Sequence, residues 1–461
     1  GEISSIGGTV SIRNSTNLSG GEISMTSGTI ALGGEFSKNG GNLLLEDTTL
    51  SLLSDLIWIS DSILEIPNLE LNDLSLTLDN ETSDIKINNT LVLDQSTEKL
   101  ISGSADLEFS GLVSVNAGEL SSSAGKLYFE QGVSQAGGAL NISNSTLKLG
   151  EQFNKTSGSV QLDGTELELI SDVTLNSDSL LSFVNLKLKE SSLTLESEDS
   201  DLEIQDLLLL DHSSQKLITK DADLDLKNGI SISAGEISST GGTVSISNST
   251  SLKGGAISIS SGTFALGGEF TKSGGYLYLN DTTLSLLSDL QWSSDSLLDI
   301  SFLALNDKAL ILSDQFSDLK IANPLSLDHP NEKLISGNAD LEFSGMLSIS
   351  EGEISSTGGS ISMSKSLSVS GGTLSISSET FSLGGVFKKN GGNLFLNDTT
   401  LSLLSDLQWS SDTLLEIKEL RLNDKTLNLE DQFSDLKIIS PLTLDHSDEK
   451  LISGLADLEF L

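Results

Sequence analysis

The chain has three histidines, His212, His329 and His446, and each follows an aspartate in the same repeated motif, Leu-Asp-His, with Gln95 at that place in the first copy. An imidazole beside carboxylates is the equipment of a metal site or an acid/base pair. Neighbouring copies are 117 residues apart. In a stack of 20-residue coils that is six coils, roughly 29 Å at ~4.8 Å per coil, so no two histidines share an ion or a substrate. Without a second His or Cys nearby, the expectation is a solvated turn histidine in each copy.

Other residue types recur in the same way. Asp55, Asp172, Asp289 and Asp406 form one column of carboxylates, the raw material of a polysaccharide-cleaving acid/base cluster that would bind calcium through aspartates and use a basic side chain. The chain has two arginines, Arg13 and Arg421, at different repeat positions. An active site is unique where these acids are copied, so no catalytic residue is assigned. Trp58, Trp292 and Trp409 share a column in which the second copy has Leu175. Leucine replaces tryptophan where the ring only packs, so these read as core or corner filler rather than an exposed platform for glycans. Thr48 and Thr49, with Thr282, Thr283, Thr399 and Thr400, return once per six coils, too sparsely for the threonine ranks of an ice-binding face. About ten Asn-x-Ser/Thr sequons, among them Asn14, Asn80, Asn141, Asn248, Asn280 and Asn397, are what a Ser/Thr/Asn-rich chain contains by chance.

Composition bounds the partners. The 461 residues carry 66 acidic and 25 basic side chains, a formal charge of −41. Nucleic acid and anionic membrane are excluded, because both need a basic face. Cysteine is absent, which removes disulfides, thiolate metal sites and sulfur redox chemistry. No run of 18 apolar residues occurs, so no direct membrane insertion is expected. No basic-then-apolar leader opens the chain, and the expectation is a mature piece of a longer array. The glycine-rich calcium nonapeptide is missing, so no specific cofactor or metal is assigned. Loose divalent cations such as calcium, screening the acidic surface, remain compatible with it.

These residues are positioned by a strict repeat. Gly-Glu-Ile/Leu-Ser-Ser opens units at Gly1, Gly118, Gly235 and Gly352. The units are residues 1–117, 118–234 (the divergent copy), 235–351 and 352–461 (truncated). Inside each, a period of about 20 residues places Ile3, Ile23 and Leu43 in one column, Val10, Ile30 and Leu50 in another, and Ile12, Leu32 and Leu52 in a third. Apolar residues alternate with Ser, Thr, Asn, Asp and Glu, the period-2 pattern of strands with one buried face. Gly-Gly, Asn-Gly, Asn-Asp and Ser-Asp punctuate them as turns. Such strands bury their apolar face only by stacking coil on coil. The fold expected is an all-β parallel solenoid (β-helix) with six coils per 117-residue repeat, five of about 20 residues and one of about 17, continued as a single rod. A propeller would need a hairpin rhythm near 40 residues that the sequence lacks.

Two short motifs carry a resemblance. Gly254, Gly255, Ala256, Ile257 and Gly137, Gly138, Ala139, Leu140 match Gly-Gly-Ala-aliphatic; Phe36 with Asn39 and Phe387 with Asn390 match Phe-x-x-Asn. Both motifs resemble those of the polymorphic outer-membrane proteins and related autotransporter passengers, and the chain is similar in general pattern to filamentous-haemagglutinin-type adhesins. Units two and three depart from the second motif, with Thr156 and Ser273 in place of the asparagine. The resemblance implies an exported, extracellular or cell-surface β-helical fibre and brings no catalytic residue. The function expected is a structural repeat segment of a filament, stalk or adhesin shaft. Its expected partners are copies of itself, end to end or side by side. The alternatives are a repetitive surface for glycans or a host surface, and, furthest off, a β-helical polysaccharide-degrading enzyme.

Overall fold

In the computed structural model, which describes residues 1–377 and 379–461, the regular elements are all strands. They fall into two compact units, residues 1–228 with 234–238, and 229–233 with 239–461. Each unit is a parallel β-solenoid carrying two of the sequence repeats.

The alternation of the sequence becomes the wall of the coil. Glu2–Ser5 pairs in parallel with Glu22–Met25, and that strand with Asn42–Leu45, so that Ile3, Ile23 and Leu43 stack. Val10 lies on Ile30 and Ile12 on Leu32, and these on Leu50 and Leu52, as the 20-residue period predicts. Inward side chains are almost fully covered: Leu76, Leu100, Leu120 and Leu140, successive rungs of one ladder, are all buried. Each such leucine contributes about 1.5–3 kcal/mol by leaving water, and the parallel ladder satisfies the backbone between rungs.

The repeat contains an odd number of rungs. In the first copy, five coils supply three rungs each: Glu2–Ser5, Thr9–Ile12 and Thr16–Leu18 make one, Ile85–Ile87, Leu91–Leu93 and Lys99–Ile101 make another, and two rungs run together in each of the long strands Gly28–Lys38 and Thr48–Ser60. The sixth and shortest coil supplies two, Leu107–Phe109 and Val113–Val115, before Glu119–Ser122 opens the next copy. A repeat is therefore five coils and two-thirds of a sixth, and the next repeat starts one face short of the face on which the last one began. In the first unit Ile3 stacks under Ile23 and Leu43, whereas its equivalent Leu120 follows Leu56, Leu76 and Leu100 on another face. The glycines opening the repeats are fixed by this close stacking. Gly118 and Gly352 have φ of 61° and 68°, and a Cβ there would lie 2.5 Å from the Glu98 carbonyl oxygen or 2.4 Å from that of Glu332, which only glycine avoids.

Two places per repeat lack the ladder. Among the described residues, Asn42–Leu45 and Leu64–Ile66 follow one another on one face without pairing, as do Asn68–Glu70 and Leu91–Leu93 on the next face. The cause is arc length. Thirteen positions separate Phe36 from Thr49, but only ten separate their rung partners Trp58 and Asn68. The strand on the shorter arc, Leu64–Ile66, is drawn past the end of its neighbour. The deficit is recovered one face later, where ten positions from Ile66 to Leu76 face thirteen from Ile87 to Leu100. The same mismatch recurs in the second unit, between Phe270–Thr283 and Trp292–Phe302 by residue pairing.

Candidate binding grooves at the ladder breaks

The residues singled out by the sequence are mostly committed to the scaffold. Asp55, Asp172, Asp289 and Asp406 each accept the backbone N–H of the next coil, from Ser75, Ser192, Ala309 and Thr426 at 2.9, 2.8, 2.9 and 2.8 Å. The bond from Ser75 holds the Asp55 carboxyl below its usual range. These carboxylates are corner caps facing different coils and are not brought together. Thr48, Thr282 and Thr399 are buried, their hydroxyls donating to the carbonyls of Glu46, Ile259 and Ile376 at 2.7, 2.9 and 3.0 Å. They present no face to solvent.

Trp58, Trp292 and Trp409 are fully buried and lie against Phe36, Phe270 and Phe387, with ring centroids 4.5, 3.8 and 4.1 Å apart. In the second copy Leu175 covers Phe153 in the same way. The column is core, as the Trp-to-Leu exchange predicts. The indole N–H of all three tryptophans has no acceptor among the described residues.

The histidines occupy separate turns. His329 Nδ1 lies 3.3 Å from Asp307 Oδ1, and His446 Nδ1 lies 3.3 Å from Asp424 Oδ1, while His212 bonds Ser214 Oγ at 2.8 Å. The turn itself is closed from behind. Glu332 accepts the N–H groups of Asp328 and His329 at 2.9 and 3.3 Å, a role played by Glu98 in the first copy and Gln215 in the second. Among the described residues no cluster of three or more His, Cys, Asp or Glu has metal-holding geometry.

The open surface lies instead at the ladder breaks. Between Tyr276–Asn280 and Leu298–Ile300 is a cleft of about 380 Å³, walled by Leu277, Leu279, Leu298 and Ile300, with Trp292 and Lys272 also in its lining. Its copies lie between Asn393–Asn397 and Leu415–Ile417, at about 410 Å³, and between residues 160–164 and 180–182, at about 250 Å³. At the rim, residues in the outward phase of the strand are apolar: Tyr278 is 56% exposed and Leu297 55%, matched by Phe395 at 49% and Leu414 at 55%. Leu44 and Ile63 are their exposed equivalents in the first copy. Those outward apolar residues, in strands that otherwise turn Ser, Thr and Asn to water, are the sequence signal that marks the grooves.

In every copy a corner lysine is ion-paired with an aspartate 23 residues on, buried in the last three copies and half-buried in the first: Lys38 with Asp61, Lys155 with Asp178, Lys272 with Asp295 and Lys389 with Asp412. The ammonium groups hold the carboxyls of Asp61, Asp178 and Asp295 below their ordinary range. A buried ammonium needs such a partner, because removing it from water unpaired is costly. The second break forms a shallower cleft of about 740 Å³ in the first copy, lined by Asn68, Asn72, Val92 and Gln95 among others.

Comparison with family models, curated proteins and solved structures gives no match.

Proposed function

We propose that the chain is a structural repeat segment of a long extracellular or cell-surface fibre, serving as a filament, stalk or adhesin shaft. The observation that supports this reading most is the fate of the polar residues recurring every 117 positions. Asp55 and its copies cap backbone, the buried threonines satisfy carbonyls, and the lysines are neutralised at corners. Chemistry that a catalyst would hold free is used here to close turns.

The charge of −41 then governs association. Fibres of like charge repel at low salt and approach one another when salt or divalent cations screen them. Copies of the chain are the expected partners, with calcium acting as a screening ion rather than a resident cofactor. Electron micrographs of the native material are expected to show thin, unbranched rods that bundle as calcium or ionic strength rises. Globular particles would overturn the fibre reading, and bundling indifferent to both would reduce the charge to a solubility device.

A further inference from the structure

We propose that the cleft between Tyr276–Asn280 and Leu298–Ile300, with its copy between Asn393–Asn397 and Leu415–Ile417, receives an extended cationic peptide. The peptide adds as a short strand to the free edge of Tyr276–Asn280 and seats an apolar side chain against Tyr278 and Leu297.

The first argument is the state of the edge. Tyr276–Asn280 pairs on one side with Ala256–Ser260. On that side Tyr276 N–H donates to the Gly255 carbonyl and Ser261 N–H donates to the Asn280 carbonyl, both at 2.9 Å. In a parallel ladder alternate residues point their N–H and C=O the opposite way. Leu277 and Leu279 therefore direct their backbone groups into the cleft, where Leu298–Ile300 pairs, among the described residues, only with Leu319–Ile321 beyond it. In the fourth copy Asn393 N–H donates to the Gly372 carbonyl at 2.9 Å, which leaves Leu394 and Leu396 facing the corresponding cleft. An unpaired edge is a template for another strand. Here it lies inside the stack, recurs in each repeat and is walled on its far side.

The second argument is the surface around it. Leu277 and Leu279, inward residues that an intact ladder would cover, are only half-buried. Tyr278 and Leu297 stand at the rim. Strand addition uses such a pattern, with main-chain bonds for affinity and a pocket for every second side chain.

Charge selects the occupant. The exposed acids Asp281 and Asp299 line the cleft, with Lys320 opposite Asp299 in the ladder, and Asp398 and Glu416 line its copy, where Glu416 is paired with Lys437 at 2.8 Å and Lys418 offsets part of the charge. Lys272, the cation of the first cleft, is already neutralised by Asp295. A second copy of this chain, at −41, is repelled, whereas a lysine-rich segment is drawn in.

The test uses the full chain and a fluorescein-labelled heptapeptide, Lys-Ile-Lys-Val-Lys-Ile-Lys, read by anisotropy at physiological salt. Two controls accompany it: the same peptide N-methylated at alternate residues, which keeps charge but removes main-chain donors, and its glutamate analogue. The proposal expects saturable binding, weakened about tenfold or more by N-methylation and by charge reversal. It expects slowed hydrogen exchange at the Leu277 and Leu279 amides on binding. It also expects about a tenfold loss in the variant carrying Tyr278→Ser, Leu297→Ser, Phe395→Ser and Leu414→Ser, with circular dichroism confirming that the variant remains folded. Equal binding of the methylated peptide would overturn the proposal, since charge alone would then account for it. So would silence at about 1 mM peptide, or protection at Leu277 by a neutral oligosaccharide in place of the peptide.

Discussion

The first coils of the repeat and its fourth coil are built from the same residue types, yet the first coils pair on all three faces, whereas the fourth pairs with both of its neighbours on one face only. From Gly1 to Leu52 every rung lies 20 residues from the next, and Ile3, Val10 and Thr16 each find a partner. In the fourth coil Leu64–Ile66 is as apolar inside as any strand before it, with Leu64 and Ile66 buried, but it does not pair with Asn42–Leu45. Three fewer positions in the arc from Trp58 to Asn68 than in the arc from Phe36 to Thr49 make the difference. A parallel sheet therefore depends on equal chain length between flanking rungs as well as on the alternation of side chains. Where the lengths disagree, the backbone of the middle strand is left as an accessible edge.

The contrast predicts unequal sensitivity on the two sides of the break. Trp292→Ala, in the unbroken column between Phe270 and Leu312, is expected to cost about 3–5 kcal/mol. Leu279→Ala, at the half-uncovered end of its column, is expected to cost about 1–2 kcal/mol, because part of its side chain already meets water. Hydrogen exchange across Thr283–Ser294 and Tyr276–Asn280 reads the two locally, which suits a molecule whose coils depend mainly on their neighbours. Equal costs would mean that the cleft is closed in solution.

A smaller effect tests the arc-length argument directly. Inserting Gly-Ser-Asn after Ser296 lengthens the short arc of the third copy to that of its neighbour. Leu298–Ile300 is then expected to pair with Tyr276–Asn280, and the Leu277 and Leu279 amides to exchange about tenfold more slowly, worth about 1.4 kcal/mol. Unchanged exchange would place the cause of the gap elsewhere.

The smallest expected effect comes from pH. Asp55, Asp61, Asp178 and Asp295 titrate below the ordinary carboxyl value of 3.8 in the folded chain. Their contribution is fully present above 3.8 and is lost as pH falls through the folded values. All four are largely solvated, so each contribution is small. Urea midpoints are expected to show no loss from these groups between pH 7 and 5 and a loss only below about 4. A loss already complete at pH 5 would assign acid sensitivity to other groups.

Much of the scaffold is legible in the alternation. Ile3 over Ile23, and Val10 over Ile30, follow from a 20-residue period and one buried face, and the burial of Trp292 follows from Leu175 in its column. The clefts are harder to read. Leu-Glu-Ile at Leu64–Ile66 looks like any other rung, and its isolation emerges only when Trp58 and Asn68 are known to lie over Phe36 and Thr49. Tyr278, Leu297, Phe395 and Leu414 break the polar-outside rule and could have drawn attention, but twenty residues of chain separate the two sides of each cleft.

By itself the sequence determined the class of fold, the coil period, the identity of the core and the charge that any partner meets, because these depend on which residues alternate and how often. The tertiary structure alone decided that a repeat ends two-thirds of the way round a coil, and that Asp289 caps a neighbouring strand instead of gathering at a site. It also decided that the ladder opens where two arcs differ by three residues. Those outcomes rest on registers between strands 20 or more residues apart, and a strand's own residues do not record the path length of the coil beneath it.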